Sequence, residues 1–284
     1  MNRKLTFGLT MFALLGVATV LGAGEYISKP MRAVIGPAPP DLRASEVRFD
    51  SSAGSVAGWL IAGQPGRGAV LLMHGVRGSR LDMLARARFL SARGFAVLLI
   101  DLPAHGESGG ARITFGGREK EAASAALAFL AARCPGEKIG VIGTSLGAAA
   151  MVLSHAAPAP AAVVLESMYP TIEEAVTDRL HMRMGVAGTW LAPLLLGQLP
   201  LRTGISAASL RPIDDIGAMT SPILIAAGTL DLHTTAAETR RIYAAVRAPK
   251  SLWMVAGAAH VDLHRFARDE YERRVGGFLA ERLQ

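Results

Sequence analysis

A serine at position 145 lies in the pentapeptide 143–147, Gly-Thr-Ser-Leu-Gly, between the apolar run 139–142 and an alanine-rich segment. A strand, a sharp turn and a helix in this order hold a serine hydroxyl out at the edge of a sheet. Gly143 and Gly147 lack the Cβ atoms that would clash where the strand and the helix approach each other. With 31 glycines in the chain, such a pentapeptide also arises by chance, so its position between strand and helix carries the argument. Ser145 is therefore the candidate nucleophile.

A serine hydroxyl needs a base to take its proton, most often a histidine whose tautomer a carboxylate fixes. In a parallel sheet, the loops after the carboxyl ends of the strands meet at one edge. Asp231 follows the apolar run 223–227, and His260 follows the apolar run 252–255. The chain order Ser145, Asp231, His260 predicts a catalytic triad. Helix capping is the alternative for Asp231, and capping or a surface position is the alternative for His260.

The turn His74-Gly75 directly follows another apolar run, 69–73. A turn that contains glycine lets the N–H of Val76 point at the site, and the N–H of Leu146 at a helix start is the natural second donor. We predict that these two N–H groups form an oxyanion hole. The other histidines are interpreted as structural, at the positions His105, His155, His181, His233 and His264.

The elements that must position these residues alternate along the chain. A hairpin is predicted over 45–61, and short Val/Leu/Ile runs then alternate with helical patterns from residue 69 to residue 283. Helices are predicted over 79–93, over 171–184 and, at the end of the chain, over about 262–283. This pattern predicts an α/β fold with a mostly parallel, twisted sheet of about eight strands and helices on both faces. The segment 167–220 interrupts the alternation and predicts a small helical lid, here called the lid insertion.

Composition restricts the classes of function. The 284 residues fit one α/β domain, predicted over 43–284, and the formal charge of +7 comes from scattered Lys and Arg. Scattered charge without aromatic interleaving argues against a nucleic-acid partner. The single cysteine, Cys134, excludes an intrachain disulfide and a cysteine metal cluster. We expect no metal and no organic cofactor, and the oligomeric state is left open.

The N-terminal residues 5–24 are uncharged, and Arg3 and Lys4 precede them. Helical residues rise 1.5 Å each, so about 20 of them match a bilayer core of about 30 Å. We expect 1–24 to be an uncleaved membrane anchor, with a cleaved signal segment as the alternative. The expected location is the inner membrane facing the periplasm or exterior, or a secreted or periplasmic protein after cleavage. Residues 25–42, which contain four prolines, are predicted as a linker.

Taken together, the motifs at 74–75, 101–108, 143–147 and 228–231, followed by His260, resemble the α/β-hydrolase superfamily over about residues 43–283. The apolar N-terminus and leading hairpin make the chain most similar to the Bem46-like, serine-aminopeptidase-type (S33-like) hydrolases. The resemblance implies the α/β-hydrolase fold, and Ser145 argues against the chemistry of relatives with an aspartate or cysteine nucleophile. The turn 74–78 departs from the His-Gly-Gly-Gly form of the hormone-sensitive-lipase branch.

We therefore expect a serine hydrolase that acts through an acyl-enzyme, with a carboxylic ester hydrolase (EC 3.1.1) favoured and a small ester or acyl compound as substrate. A peptidase or amidase and an acyltransferase are alternatives that would use the same triad. A non-catalytic binding protein of the same fold is the alternative from another class.

The second half of the lid insertion, 186–200, carries no charged residue. Its large apolar side chains cannot all be buried on one helical face, so some are expected to line an acyl pocket. The candidates are Trp190, Leu191, Leu194 and Leu195. Simple packing on the sheet edge is the alternative. The pocket interpretation predicts a preference for short to medium apolar acyl chains over charged substrates.

Overall fold

Eight strands form the central sheet of the protein, whose computed structural model describes residues 3–284. They lie in the order β10-β9-β8-β7-β4-β5-β3-β2, and every neighbouring pair is parallel except β2–β3 and β3–β5. Two further strands of two residues, β1 and β6, pair with each other. The predicted mostly parallel α/β sheet is confirmed. The strands are β1 (Met31–Arg32), β2 (Ser45–Ser51), β3 (Gly54–Ile61), β4 (Ala69–Met73), β5 (Ala96–Ile100), β6 (His105–Gly106), β7 (Ile139–Thr144), β8 (Ala162–Glu166), β9 (Ile223–Gly228) and β10 (Lys250–Val255).

The central strands are apolar throughout because helices cover both faces of the sheet. All residues of β4, β5 and β8 are buried, whereas the edge strand β2 alternates between exposed and half-buried residues. Two separate apolar cores result, one on each face. The helices are α1 (Arg3–Ser28), α2 (Leu84–Ala92), α3 (Glu119–Arg133), α4 (Leu146–Leu153), α5 (Ile172–Thr189), α6 (Ala192–Leu196), α7 (Leu199–Thr203), α8 (Pro212–Asp215), α9 (Ala236–Ala245), α10 (Leu263–Phe266) and α11 (Arg268–Leu283).

Three predicted helices differ in their limits. The first is shorter than the predicted 79–93, because a 3-10 turn over Arg80–Met83 precedes α2. The closing helix is divided into α10 and α11 at Ala267, whose φ of −133° is not helical. Within the lid insertion, α5 continues beyond the predicted end at residue 184 but is interrupted at Gly185, where φ is 66° and ψ is −162°.

The last turns of α1 and the segment after it lie against the domain. Gln198 of the lid insertion donates to the carbonyl of Val20 at 3.1 Å, and Arg202 donates to the carbonyl of Leu21 at 2.7 Å and pairs with Glu25. Within the predicted linker 25–42, the N–H of Met31 donates to Ala104 at 2.7 Å. The start of the chain therefore contacts both the lid insertion and the sheet edge.

By length and hydropathy, none of the helices within residues 3–284 qualifies as a membrane span by itself. The apolar stretch of α1 is the shorter segment Leu14–Ser28. Helix α5 reaches the length and hydropathy of a span only together with the segment Ala192–Thr203, and a bend of 117° separates the two. This finding does not support the membrane span predicted at 5–24. Residues 1 and 2 of the predicted segment 1–24 lie outside the described residues.

Candidate active site

Ser145 lies at a sharp turn between β7 and α4, with φ of 50° and ψ of −106°. Its N–H donates to the carbonyl of Glu166 on β8 at 2.7 Å. A Cβ atom on Gly143 would lie 2.6 Å from the nitrogen of Ala148, and one on Gly147 would lie 2.5 Å from the carbonyl oxygen of Met73. The two glycines are thus required by the close approach of α4 to β7 and β4, the reason that the sequence indicates.

The structure brings Asp231 and His260 together at the carboxyl ends of β9 and β10. His260 Nδ1 lies 2.8 Å from Asp231 Oδ2. The N–H groups of His233 and Thr234 donate to the other carboxylate oxygen, at 2.8 and 3.0 Å. Burial would raise the pKa of Asp231, but the hydrogen bond and charge of His260 and these two N–H groups outweigh it and hold the pKa below its ordinary value. The carboxylate thus stays ionised and can orient the imidazole.

The turn after β4 holds Val76 beside Ser145. His74 Nδ1 lies 2.7 Å from the carbonyl oxygen of Gly75, and its Nε2 accepts from the N–H of Leu102 at 3.0 Å. This pattern requires a neutral ring, and burial lowers the pKa of His74 to about 3. A Cβ atom on Gly75 would lie 3.6 Å from the Cβ of Ser145. The His74 ring therefore acts as a fixed support for the turn.

Two N–H groups are available at this turn for an oxyanion. The N–H of Val76 has no hydrogen-bond acceptor within residues 3–284. Leu146 is the first residue of α4, so its N–H is among the donors without an intrahelical partner. Both residues line a cavity with Ser145. This arrangement is what the predicted oxyanion hole requires, although the distance between the two donors and a substrate oxygen stays a prediction.

Two cavities meet at Ser145. The apolar cavity, about 290 Å³, lies between the sheet edge and the lid insertion and is lined mostly by apolar side chains. The polar cavity, about 480 Å³, contains His260 and His233 on its wall. Ser145, Val76 and Arg179 line both of them. A substrate could therefore place its scissile bond at Ser145 and one part in each cavity.

A family model described as Serine aminopeptidase, S33, matches residues 64–210, which is more than half of the chain. The chain belongs to this family of α/β hydrolases. The superfamily and the S33-like subfamily expected from the motifs are thereby confirmed.

This hydrolase is similar to proteins compared by sequence and to proteins of solved structure. An uncharacterised protein of Bacillus subtilis, YqkD, is 25% identical over 228 residues, which cover 79% of this chain and 75% of that protein. The esterase Pf2001 of Pyrococcus furiosus is similar in structure with a TM-score of 0.75 at 24% identity, over 91% of this chain and 99% of that chain. A thermophilic esterase from Thermogutta terrifontis has a TM-score of 0.61 at 16% identity, over 85% and 100% of the two chains.

A buried ionic cluster behind the turn was not found from the sequence. Arg86 of α2 pairs with Glu166 at 2.6 Å and with Asp262 at 2.9 Å, and the hydroxyl of Tyr271 donates to Glu166. Thr144, directly before Ser145, also donates to Glu166, at 3.1 Å. The cluster therefore links the turn at Ser145 to α2, to α11 and to the loop after His260. The feature of the sequence that could have indicated the cluster is a glutamate, Glu166, at the end of an apolar strand.

The lid insertion lines the apolar cavity with a different set of residues from the predicted one. Of the four candidates, Leu195 lines the cavity, whereas Trp190, Leu191 and Leu194 do not. Trp190 is 81% exposed and Leu194 is 57% exposed. Trp190 and Leu191 lie in the turn between α5 and α6, and of the five residues of α6 only Leu195 and Leu196 line the cavity. Further lid residues that line the cavity are Ile172, Ala175, Val176, Leu196 and Leu199.

Three side chains beside Ser145 could also offer ligand atoms to a metal ion. One atom each from Asp231, His233 and His260 lies within 4.8 Å of the others. Both oxygens of Asp231 already accept hydrogen bonds, and the rings of His233 and His260 lie 4.7 Å apart. Burial and the nearby His260 charge lower the pKa of His233. The hydrogen bonds of Asp231 are those of a histidine–carboxylate pair with His260.

Proposed function

We propose that this hydrolase cleaves carboxylic esters through an acyl-enzyme, with Ser145 as the nucleophile. The observation that carries the proposal is that Ser145 and His260 line the same cavity while Asp231 holds the other ring nitrogen of His260. With Nδ1 engaged at 2.8 Å, His260 has its Nε2 left for the serine proton.

The proposed reaction uses groups already described. His260 takes the proton of Ser145 as the hydroxyl oxygen attacks the ester carbon, and the N–H groups of Val76 and Leu146 stabilise the negative oxygen. The C–O bond then breaks, and the leaving alcohol receives the proton from His260. Water attacks the acyl-enzyme by the same route and releases the acid. Each oxyanion donor in such sites contributes about 3 kcal/mol to the transition state.

The walls of the apolar cavity favour an ester over a peptide amino terminus. An aminopeptidase must bind the ammonium group of its substrate, for which a carboxylate is the natural partner. Among the described residues, no carboxylate lines this cavity, and its charged members are Arg77, Arg179 and Arg183. Esterases among the similar solved structures agree with this choice. A peptidase or amidase is the second candidate because of the matching family model.

Labelling with a fluorophosphonate probe tests the nucleophile. Wild-type protein should be labelled and Ser145→Ala should not, while the control Ser209→Ala, at an exposed serine outside both cavities, should label normally. Equal labelling of wild type and Ser145→Ala would show that the assignment is wrong.

A series of p-nitrophenyl esters of increasing acyl length, assayed beside aminoacyl anilides, tests the substrate class. The expected result is faster cleavage of esters, with kcat/KM rising as methylenes enter the cavity, since each contributes about 0.8 kcal/mol. Faster cleavage of the anilides would favour the peptidase instead.

A further inference from the structure

Three arginines interrupt the apolar cavity wall, at Arg77, Arg179 and Arg183. Ten arginines among the described residues pair with carboxylates, for example Arg86 with Glu166. Within residues 3–284, by contrast, none of these three has a carboxylate oxygen within the 4.0 Å that defines an ion pair. A cavity with apolar walls and unpaired cations fits an amphiphilic ligand that carries a negative charge.

Arg77 is already held by other contacts. Its guanidinium lies 4.4 Å from the ring centre of Tyr26 and donates to the Tyr26 carbonyl at 3.2 Å. This arginine therefore forms part of the fixed wall, and the free donors lie on α5.

Arg179 has most of its donors available. A guanidinium carries five N–H groups, and one of them donates to the carbonyl of Ala175 at 2.7 Å. The residue lines both the apolar and the polar cavity, as Ser145 does. An anion bound by Arg179 would therefore lie close to the scissile bond.

The positive charge of Arg179 is poorly compensated. Burial lowers the pKa of Arg179 although Tyr169, Asp178, Asp231 and Glu238 act in the opposite direction. Of the three carboxyl groups, Asp231 is engaged with His260, Glu238 is engaged in the N-terminal cap of α9, and burial together with the charge of Glu238 raises the pKa of Asp178 to about 7. A substrate anion would supply the missing negative charge.

Arg183 lies four residues further along α5 and so on the same helix face, one turn from Arg179. It is exposed and also lines the apolar cavity. Its position extends the cationic side of the cavity from the half-buried Arg179 towards solvent.

We propose that the substrate is an ester that also carries a carboxylate or phosphate group, which Arg179 binds and Arg183 assists, while the apolar part occupies the cavity. This inference rests on the proposed ester hydrolysis. It reverses the preference for uncharged substrates that the sequence predicts, because the arginines of α5 turn into the cavity.

Matched pairs of esters test the proposal. The p-nitrophenyl esters of butyrate, valerate and hexanoate are compared with the mono-p-nitrophenyl esters of succinate, glutarate and adipate, in which a carboxylate replaces the terminal methyl. We expect the wild-type kcat/KM to be at least about tenfold higher for the best anionic ester than for its neutral partner. A charge-assisted hydrogen bond corresponds to about a tenfold to hundredfold change.

Three variants test whether the arginines of α5 cause the preference for the anionic ester. Arg179→Gln should lower the anionic-to-neutral ratio about tenfold or more, Arg183→Gln about twofold to fivefold, and Arg179→Lys should retain an intermediate ratio. Arg240→Gln is the control, since Arg240 donates to Ala236 in the same local pattern but lines neither cavity. A wild-type ratio of one or less, or a ratio unchanged in Arg179→Gln and Arg183→Gln, would overturn the proposal.

Binding measurements keep the proposal separate from ester hydrolysis. Titration calorimetry of Ser145→Ala with octanoate, octyl phosphate and 1-octanol should show tighter binding of at least one anion, lost in the double variant with Arg179→Gln. Tighter binding of one anion identifies the carboxylate or the phosphate as the preferred group. Equal affinity for both anions and the alcohol contradicts the inference even if wild type cleaves esters. Failure of wild type to cleave any ester contradicts the proposed function and leaves the binding result to decide the inference.

Discussion

Four residues that line the cavities at Ser145 have a positive φ: Arg77 at 62°, Phe115 at 53°, Ser145 at 50° and Ser167 at 46°. Side chains with a Cβ atom adopt this conformation at a cost of about 1–3 kcal/mol. Arg77, Ser145 and Ser167 are each held by a hydrogen bond from their own N–H, to His105, Glu166 and Ala226 respectively. The strain is thus concentrated where the site must present an exposed hydroxyl and a free N–H.

Gly147→Ala tests the close approach behind Ser145. The new methyl group would lie 2.5 Å from the backbone oxygen of Met73, so we expect a loss of about 1–3 kcal/mol in the free energy of unfolding together with reduced probe labelling. Gly277→Ala is the matched control, because a Cβ there has no neighbour within 4 Å. Chemical denaturation should show no loss, or a gain of up to about 1 kcal/mol. Equal effects of the two substitutions would contradict the argument.

The buried neutral His74 predicts a dependence of stability on pH. Its pKa is about 3 in the folded chain and 6.5 ordinarily, so between these values the unfolded chain binds a proton that the folded chain does not. The stabilisation is therefore complete above pH 6.5 and falls by about 1.4 kcal/mol per pH unit below it.

Denaturation at pH 7, 6, 5 and 4 measures this slope. His74→Gln should flatten it by about that amount, since Gln can still accept from Leu102 but does not titrate. His155→Gln, at a side chain that is 58% exposed, should keep the wild-type slope. A wild-type slope in His74→Gln would show that other groups are responsible.

The position of the candidate site residues at the strand ends could be predicted from the sequence, because each apolar run shows where its strand ends. Ser145, Asp231 and His260 each follow such a run by a few residues. Arg179 could not be found in this way, because the direction of its side chain depends on how α5 docks over the sheet. Nor could the contacts of Glu166 with Arg86 and with Tyr271, which join residues 80 and 105 positions apart.

At the scale of elements, α1 supplies one wall of the apolar cavity. Tyr26 and Ile27 of its last turn line the cavity together with Leu195 and Leu199 of the lid insertion. Glu25 pairs with Arg112 and Arg202, and the carbonyl of Ser28 accepts from Ile113 at 2.9 Å. The helix end is thus attached on both sides.

Two truncations test this wall. Removal of residues 1–23 leaves Tyr26 and Ile27 in place, whereas removal of residues 1–28 deletes them. We expect the second truncation alone to lower kcat/KM for the longest accepted p-nitrophenyl ester about tenfold, the equivalent of two methylenes losing their contact. The shortest ester is the internal control. Identical chain-length profiles for the two truncations would show that α1 does not shape the cavity.

The elements themselves were predictable to different degrees. Strands β4, β5 and β8 are buried along their whole length, so they are unbroken apolar runs that the sequence shows directly. The packing of α1 on the lid insertion was not predictable, because an apolar N-terminal segment is equally typical of a signal or an anchor. The interruption of α5 at Gly185 was also missed, since a glycine in a helical pattern does not by itself indicate a break.

At the scale of the whole molecule, Glu166 connects α2 and α11, which pack together on one face of the sheet, to the site. It is fully buried and neutralises Arg86, which is 2% exposed. Glu166→Gln would leave that guanidinium with Asp262 alone as a charged partner, and we expect a loss of about 3–5 kcal/mol in the free energy of unfolding.

Asp41→Asn is the control for this prediction. Asp41 pairs with Arg88 at 2.6 Å, but both side chains are about half exposed, so denaturation should show little change. A small effect of Glu166→Gln would mean that the cluster relaxes or admits water.

The contacts between α1 and the lid insertion also bear on the order of folding. The bond from Gln198 to Val20 joins residues 178 positions apart, and the pair of Arg202 with Glu25 joins residues 177 apart. Contacts between such distant positions form late because the loop they close is entropically costly. The apolar cavity should therefore be completed last during refolding and opened first by denaturant. In a urea titration, ester hydrolysis should disappear before the far-ultraviolet circular dichroism of the sheet and helices changes, and coincident transitions would contradict this order.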